Sequence, residues 1–454
     1  MSLPRSSPAE QGVDARGIDA FLAALEPLPE VETHSLMVVK NGHVVAERWW
    51  RPYGPDRPHL LYSLSKSFTS TALGFAVAEG LVDVDATVLS YFPEWDGLVT
   101  DERSRRIRVR DVAAMASGHA GETIDEALAK GDGDMVLGML LLPPDYEPGS
   151  VFAYNQPCTN ALSAIIRRVT DGTLTDFLAT RLFQPLGIDT YGWWVDRNGR
   201  ELGYSGLHVT TESIAELGQL YLDQGRDLLP ATWVAEATRA HVLTDQGNID
   251  SSQGYGFQFW RSRHGYRGDG AFGQLMIVLP EADAVVALTG QSPDMQAVMD
   301  QLWIHLLPAL TADDGPAGPW PAEWPELPGP VDAGARRDEW PDLTEPFATP
   351  PTATFEHDRA SATRRVHTVR ITPTELTLDD GRPVVAGWGD TSGPVIPYYA
   401  WDGGRIRVDV IFVEGPHRLR LTLDPATNTF AEDWQTEPLG PTPLRYLRMP
   451  TTST

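Results

Sequence analysis

Ser63 and Lys66 stand three residues apart in Leu61-Tyr62-Ser63-Leu64-Ser65-Lys66. Together they supply a hydroxyl nucleophile and an amine able to act as its base. Lysine is scarce in this chain: Lys40, Lys66 and Lys130 are the only ones, and every other basic residue is an arginine. Arginine stays protonated in proteins, whereas a desolvated lysine can release its proton and activate a neighbouring hydroxyl. Leu64, Phe68, Ala72, Phe75 and Ala76 recur with helical spacing and Gly80 stops the run, which predicts a helix over residues 63–79. Positions i and i+3 share a helix face, so the Lys66 amine would lie one turn behind Ser63 at the positive end of the helix dipole. The competing reading is an ordinary helix cap followed by a solvated lysine, and only the surroundings decide between them.

Two further segments supply that context. Tyr154 lies in Glu147-Pro148-Gly149-Ser150-Val151-Phe152-Ala153-Tyr154-Asn155-Gln156-Pro157. Pro157 suits the first turn of a helix that buries Ala161, Leu162, Ile165, Ile166 and Val169 and stops at Gly172, so Tyr154 projects from the loop entering it. The other segment is Tyr266-Arg267-Gly268-Asp269-Gly270-Ala271-Phe272-Gly273-Gln274, which runs into an apolar strand. Glycines in a strand mark close approach of something to the backbone. A strand N–H there, paired with the N–H of Ser63, would form an oxyanion site; the alternative is a plain bulge.

The elements that must position these residues follow from periodicity. A helix near residues 17–25 precedes strands at 35–40 and 43–49, joined by Asn41-Gly42, a strong hairpin signal. A mostly helical stretch runs to about residue 240. Strands return at 255–261, 272–279 and 284–288, and a helix over 295–307 closes the region. An N-terminal hairpin and later strands can thus share one sheet around a helical insertion at about 85–240. The boundaries read as a catalytic domain over 1–311, a Pro-rich linker over 312–351 whose Trp320, Trp324 and Trp340 pin it or cover the cleft, and a small antiparallel β domain over 352–454. Its strands are expected at 366–371, 375–378, 395–400, 406–412 and 418–423.

Composition narrows the function. A length of 454 residues suggests two or three domains. With 62 acidic and 36 basic residues the formal charge is -26, which argues against binding nucleic acid or an anionic membrane. The single cysteine, Cys158, excludes an internal disulfide and reads as buried packing. No signal-peptide core and no membrane-length apolar run is visible, so a soluble cytoplasmic protein is expected. The 11 histidines form no zinc-binding pair, and neither a phosphate loop nor a dinucleotide fingerprint occurs. No metal and no cofactor is expected.

In order and spacing the three segments resemble the serine hydrolases related to class C β-lactamases, family VIII carboxylesterases, D-aminopeptidases and penicillin-binding proteins. The likeness covers roughly residues 8–310. It implies a β-lactamase/transpeptidase-like α/β (α+β) fold, an antiparallel sheet flanked by helices with an inserted all-helical subdomain. It also implies that Ser63 attacks an ester or amide carbonyl, that Lys66 and Tyr154 share the acid–base work in either order, and that the N–H groups of Ser63 and of Gly268 or Asp269 hold the oxyanion. Two departures stand out. The family's Tyr-x-Asn becomes Tyr154-Asn155-Gln156, leaving Asn155 or Gln156 as the substrate amide. The Lys-Thr-Gly strand motif is replaced by Gly265-Tyr266-Arg267, with His264, Tyr266 and Arg267 as the polar groups available to a substrate. Loss of that lysine shifts the expectation from a β-lactamase or D,D-peptidase toward an esterase or amidase acting on a small molecule. A D-aminopeptidase-type amidase and a degenerate ligand-binding protein are the alternatives; oligomeric state is open.

Overall fold

The computed structural model describes residues 2–29, 31–311, 349–358, 365–440 and 442–450. Most of the Pro-rich stretch, including Trp320, Trp324 and Trp340, lies outside the described residues. The chain divides into two compact units, Met1–Arg48 with Leu61–Ala322, and Trp49–Leu60 with Glu323–Thr454.

The first unit is built on a six-stranded antiparallel sheet. Its strands are β1 (Glu32–Lys40), β2 (His43–Trp49), β3 (Trp260–Arg261), β4 (Tyr266–Gly270), β5 (Gln274–Leu279) and β6 (Ala284–Gln291), in the order β2-β1-β6-β5-β4-β3. Asn41 and Gly42 turn the first hairpin with φ of 50° and 73°, the two positive values that a type I′ turn requires. Met37 to Val39, Met276 to Val278 and Val285 to Ala287 have no exposed surface. Such continuous apolar runs mark strands covered on both faces. Among the helices are α1 (Ala15–Leu25), α2 (Ser65–Ala78), α3 (Gln156–Thr170) and α4 (Thr211–Leu222). α4 packs on β1, β5 and β6, and α1 packs against a helical run over residues 295–311.

Two expectations need correction here. The insertion is not all helical, because Tyr191–Trp193 and Leu207–Val209 pair as an antiparallel ladder within it. The strand expected over 255–261 shrinks to Trp260–Arg261. Gln258 adopts φ 66° and turns its amide inward to accept from Thr159 and donate to the Ala113 carbonyl, which breaks the extended run.

α2 departs from a simple amphipathic pattern, since Ser65 through Ala76 are all buried. Its hydroxyls are what make this possible, because buried polar groups need partners. Ser65 Oγ accepts from Leu207 N at 3.0 Å, Thr69 Oγ1 donates to Gly203 O at 2.8 Å, and Ser70 Oγ donates to Phe257 O at 2.6 Å. The small polar residues thus clamp two loops around the helix that carries the lysine. Ser70→Ala removes the side-chain partner of a buried carbonyl, an expected loss of about 1–3 kcal/mol. A urea unfolding midpoint that falls with an unchanged slope would verify it; an unmoved midpoint would refute it.

The second unit is a small all-β body. Its eight strands are β7 (Ala353–His357), β8 (Thr368–Ile371), β9 (Glu375–Asp379), β10 (Pro383–Gly387), β11 (Val395–Asp402), β12 (Arg405–Phe412), β13 (Arg418–Asp424) and β14 (Thr429–Thr436). They order as β10-β9-β8-β7-β14-β13-β12-β11, antiparallel except for the β7–β14 contact. Residues 49–60 also belong to this unit: Tyr53 packs with Ile396, Ile411 and Val413, and Leu60 N donates to Glu414 O at 2.8 Å. Among the described residues no helix is long and apolar enough to cross a membrane.

Candidate active site

Ser63 lies in a 3-10 turn, Tyr62–Leu64, that feeds directly into α2. Tyr62 takes φ 47°, a conformation a bulky residue adopts only when packing enforces it. Its ring supplies that packing, edge-on to Phe272 at 5.5 Å and to Trp194 at 6.0 Å. The turn leaves Ser63 partly accessible while Leu61, Tyr62 and Leu64 on either side are buried.

One turn on, Lys66 is 1% exposed. Its Nζ donates to Gln156 Oε1 at 2.7 Å, to the Tyr204 carbonyl at 2.9 Å and to Ser63 Oγ at 3.1 Å. The amine lies over the Tyr154 ring, 4.7 Å from its centroid. Burial drives the proton affinity of Lys66 down from 10.5 to about 7, against the opposing pull of Glu122, Asp269 and Cys158. An ammonium uses all three protons on these partners. A neutral amine keeps two N–H groups for Gln156 and Tyr204, and its lone pair then faces Ser63.

The Tyr154 hydroxyl lies beside Ser63, whose hydroxyl offsets part of the rise in its proton affinity. Its ring stacks on Trp260 at 5.5 Å and meets Tyr255 edge-on at 6.3 Å, so an aromatic cage fixes it. Burial, reinforced by the Asp269 charge, pushes its proton affinity far above 10. The two partners of Ser63 are therefore displaced in opposite directions.

β4 brings the third element alongside. A Cβ on Gly268 would lie 2.4 Å from Ser67 Oγ, and one on Gly270 would lie 1.9 Å from Leu61 O and 3.1 Å from Leu64 N. Only glycine permits this approach. The strand residue whose backbone comes closest to the Ser63 turn is thus Gly270, past the expected Gly268 and Asp269. Ala271, the first residue past the ladder, has an N–H with no partner among the described residues, as does Ser63. Asp269 instead turns its carboxylate to Arg267 and to the fields of Lys66 and Tyr154.

The other expected residues separate clearly. Gln156 is in the site. Asn155 is fully buried, with Oδ1 accepting from Thr123 N at 3.0 Å and Thr123 Oγ1 at 3.1 Å, so it anchors a loop and does not face a substrate. Arg267 is 1% exposed and donates to Asp269, Ser262, Ser251 and the Asp250 carbonyl, which leaves nothing for a ligand. Tyr266 packs edge-on against Phe259, and His264 sits on Trp303 at the end of β4 opposite Gly270. Asn155 and Arg267 are thus committed to partners inside the fold, and Tyr266 and His264 pack on aromatic rings. Cys158 is buried with its thiol pushed up to about 12, in line with packing.

Two contributors escaped the sequence reading. Tyr204 acts through its carbonyl, which no residue type can announce. Glu122 accepts from the N–H groups of Thr123, Ile124 and Gln156 at 2.9, 3.0 and 3.2 Å, and so caps the start of α3 that presents Gln156 to Lys66. Its signal would have been an acid placed to meet a helix N-terminus, but 34 residues separate the partners.

Comparison with known proteins agrees with this geometry. A family model described as Beta-lactamase matches residues 21–309. The chain is 27% identical over 317 residues to the 6-aminohexanoate-dimer hydrolase of Paenarthrobacter ureafaciens, covering 64% of this chain and 80% of that protein. It is 28% identical over 160 residues to the lovastatin esterase of Penicillium rubens, covering 30% of this chain and 40% of that protein. The octameric penicillin-binding protein homologue from Pyrococcus abyssi superposes with a TM-score of 0.50 at 15% identity, over 93% of this chain and 98% of that one. At that identity the likeness concerns the β-lactamase/transpeptidase-like fold alone.

Proposed function

The chain belongs to the β-lactamase family and is a hydrolase of ester or amide bonds, and on that footing we propose that it works through an acyl-enzyme on Ser63, with Lys66 as the base and Tyr154 as a neutral proton relay. The observation that carries this assignment is the buried Lys66 amine, held by Gln156 Oε1 and Tyr204 O with its third contact on Ser63 Oγ. The Ser63 proton passes to Lys66 Nζ as Oγ bonds to the substrate carbonyl carbon. The carbonyl oxygen takes up the charge against the N–H groups of Ser63 and Ala271. The leaving alcohol or amine takes a proton from Tyr154, which is replenished from Lys66, and water reverses the sequence to release the acid. The resting form of Tyr154 is the neutral phenol, since burial and Asp269 both oppose ionisation, so its proton leaves as the Lys66 proton arrives.

The substrate class follows from the cations. Among the described residues, Lys66 and Arg267 are the basic side chains whose charges reach the site, and both direct donors to partners inside the protein. Nothing in that pair is left to hold a substrate carboxylate beside the scissile bond, as the missing Lys-Thr-Gly lysine would. This favours a small linear ester or amide over a β-lactam or a D-alanyl peptide. The relatives named for an aminohexanoate dimer and for lovastatin support both bond types.

Exposure of the wild-type protein to a fluorophosphonate should give one adduct by intact mass, mapped by peptide analysis to Ser63. Absence of any adduct on folded protein would refute the acyl-enzyme and leave a ligand-binding role. The pH profile carries a second expectation. Because the folded-state proton affinity of Lys66 is lowered to about 7, the competent neutral amine disappears as pH falls. Then kcat/KM should drop by about tenfold per pH unit below about 7 and level off above it. A profile that climbs steadily toward 10 would point to an unperturbed lysine and overturn the assignment.

A further inference from the structure

α3 carries a polar stripe that extends beyond the catalytic centre. Gln156, Asn160, Ser163 and Arg167 recur at helical spacing on one side of it, while Ala161, Leu162, Ile165 and Ile166 are buried on the other. Gln156 meets Lys66. The remaining three line a separate cleft of about 660 Å³, a volume suited to a small ligand. The cleft is bordered by the segment containing Arg200 and Glu201 and by Phe92 and Trp95, whose rings stack at 4.4 Å with 13° between planes.

The arginines of this cleft are paired with one exception. Arg168 holds Glu94 through two bonds of 2.8 and 2.9 Å. Arg200 holds Asp134 at 2.8 Å and Asp196 at 2.6 Å. Glu201 accepts from Thr175 N at 3.2 Å, and also from Leu174 N, at the start of the next helix. Asn160 donates to Leu202 O and Ser163 to Glu201 O. Arg167 alone among the cleft's cations has neither a hydrogen bond nor an ion pair among the described residues, although it is half-buried. Burial and the adjacent Arg200 charge disfavour its cationic form, the charges of Asp196, Asp134 and Glu201 offset part of that cost, and no acceptor among the described residues meets the guanidinium directly.

We infer that this cleft is a second ligand site, distinct from Ser63, that takes a small monocarboxylate with an apolar body. The free guanidinium fork matches one carboxylate bidentately. Phe92, Trp95 and Val136 offer an apolar wall for the rest of the molecule. Five acidic side chains against three arginines in the lining select against polyanions such as phosphate. The inference is independent of the reaction assigned to Ser63.

Calorimetric titration of the full-length protein with 4-phenylbutyrate tests it, with inorganic phosphate as the polyanion control. Saturable binding of phenylbutyrate and none of phosphate is expected. Arg167→Gln should weaken phenylbutyrate at least about tenfold, the size of one lost charged hydrogen-bonding partner, with Arg167→Lys intermediate. Ala164→Trp, which fills the cleft while retaining Arg167, should abolish binding and gives an independent reading if the Arg167 variant fails to fold. No saturable binding to wild type, equal affinity in Arg167→Gln or Ala164→Trp, or a preference for phosphate would each overturn the proposal.

Discussion

Replacing Ser63 with alanine is expected to lower kcat on an activated ester by about 10⁶-fold, the scale on which loss of a nucleophile abolishes covalent catalysis. The fluorophosphonate adduct should vanish at the same time. The reason is specific to this site, because the neighbouring serines on the same helix are not placed to substitute. Ser65 Oγ accepts from Leu207 N, and Ser67 Oγ donates to Gln258 O, so both neighbours are buried and committed. Structure should survive the change. Lys66 keeps Gln156 Oε1 and Tyr204 O, and the partly accessible Ser63 supports no other described element. The unfolding midpoint should therefore stay within about 0.5 kcal/mol of wild type, as for most exposed substitutions. Residual labelling of a folded Ser63→Ala protein would show that another residue is the nucleophile.

Lys66→Arg is expected to reduce the acylation rate by about 10²–10⁴-fold, the usual contribution of a positioned general base. The substitution keeps the positive charge and removes only the ability to become neutral, since a guanidinium does not deprotonate in proteins. It thereby separates two explanations for the lysine. An electrostatic role would survive the change, whereas a proton-accepting role would not. Pre-steady-state release of p-nitrophenol from an ester measures acylation directly. Because Lys66 is 1% exposed and the larger fork must fit, Lys66→Met serves as the companion: it keeps the length and loses the charge. Equal collapse of both variants, each with a cooperative unfolding transition, supports the base. Full activity in Lys66→Arg would sink it.

Much of the fold could be read from local pattern. The Asn41-Gly42 hairpin, the α2 and α3 helices and the apolar strands β5 and β6 lie close to where spacing put them. Each of these is settled by interactions within a few residues. β14 was missed because Thr429-Phe430-Ala431-Glu432-Asp433-Trp434 shows charged residues at an inward position. Glu432 is nevertheless buried, accepting from the N–H groups of Arg365 and Val366. Residues 49–60 cluster with the second unit, whereas local pattern places them in the domain expected over 1–311. Their partners Ile396, Ile411 and Val413 lie more than 300 positions away, and nothing local in Trp50-Arg51-Pro52-Tyr53 signals that packing.

The sequence by itself determined the chemistry on offer: a serine and a lysine one helical turn apart, a tyrosine before a helix, and glycines in a strand. Those choices are legible because side-chain type and helical or strand period are local properties. Only the tertiary structure decided how the groups are used. It buried the Lys66 amine and so lowered its proton affinity, set Tyr154 where burial and Asp269 raise its own, and placed Gln156 rather than Asn155 against Lys66. It also withdrew Arg267 into a closed hydrogen-bond network and brought Gly270 against the turn that carries Ser63. Proton affinity and donor availability depend on solvent exclusion and on charges contributed by segments distant in sequence, and these come into being only when the chain folds.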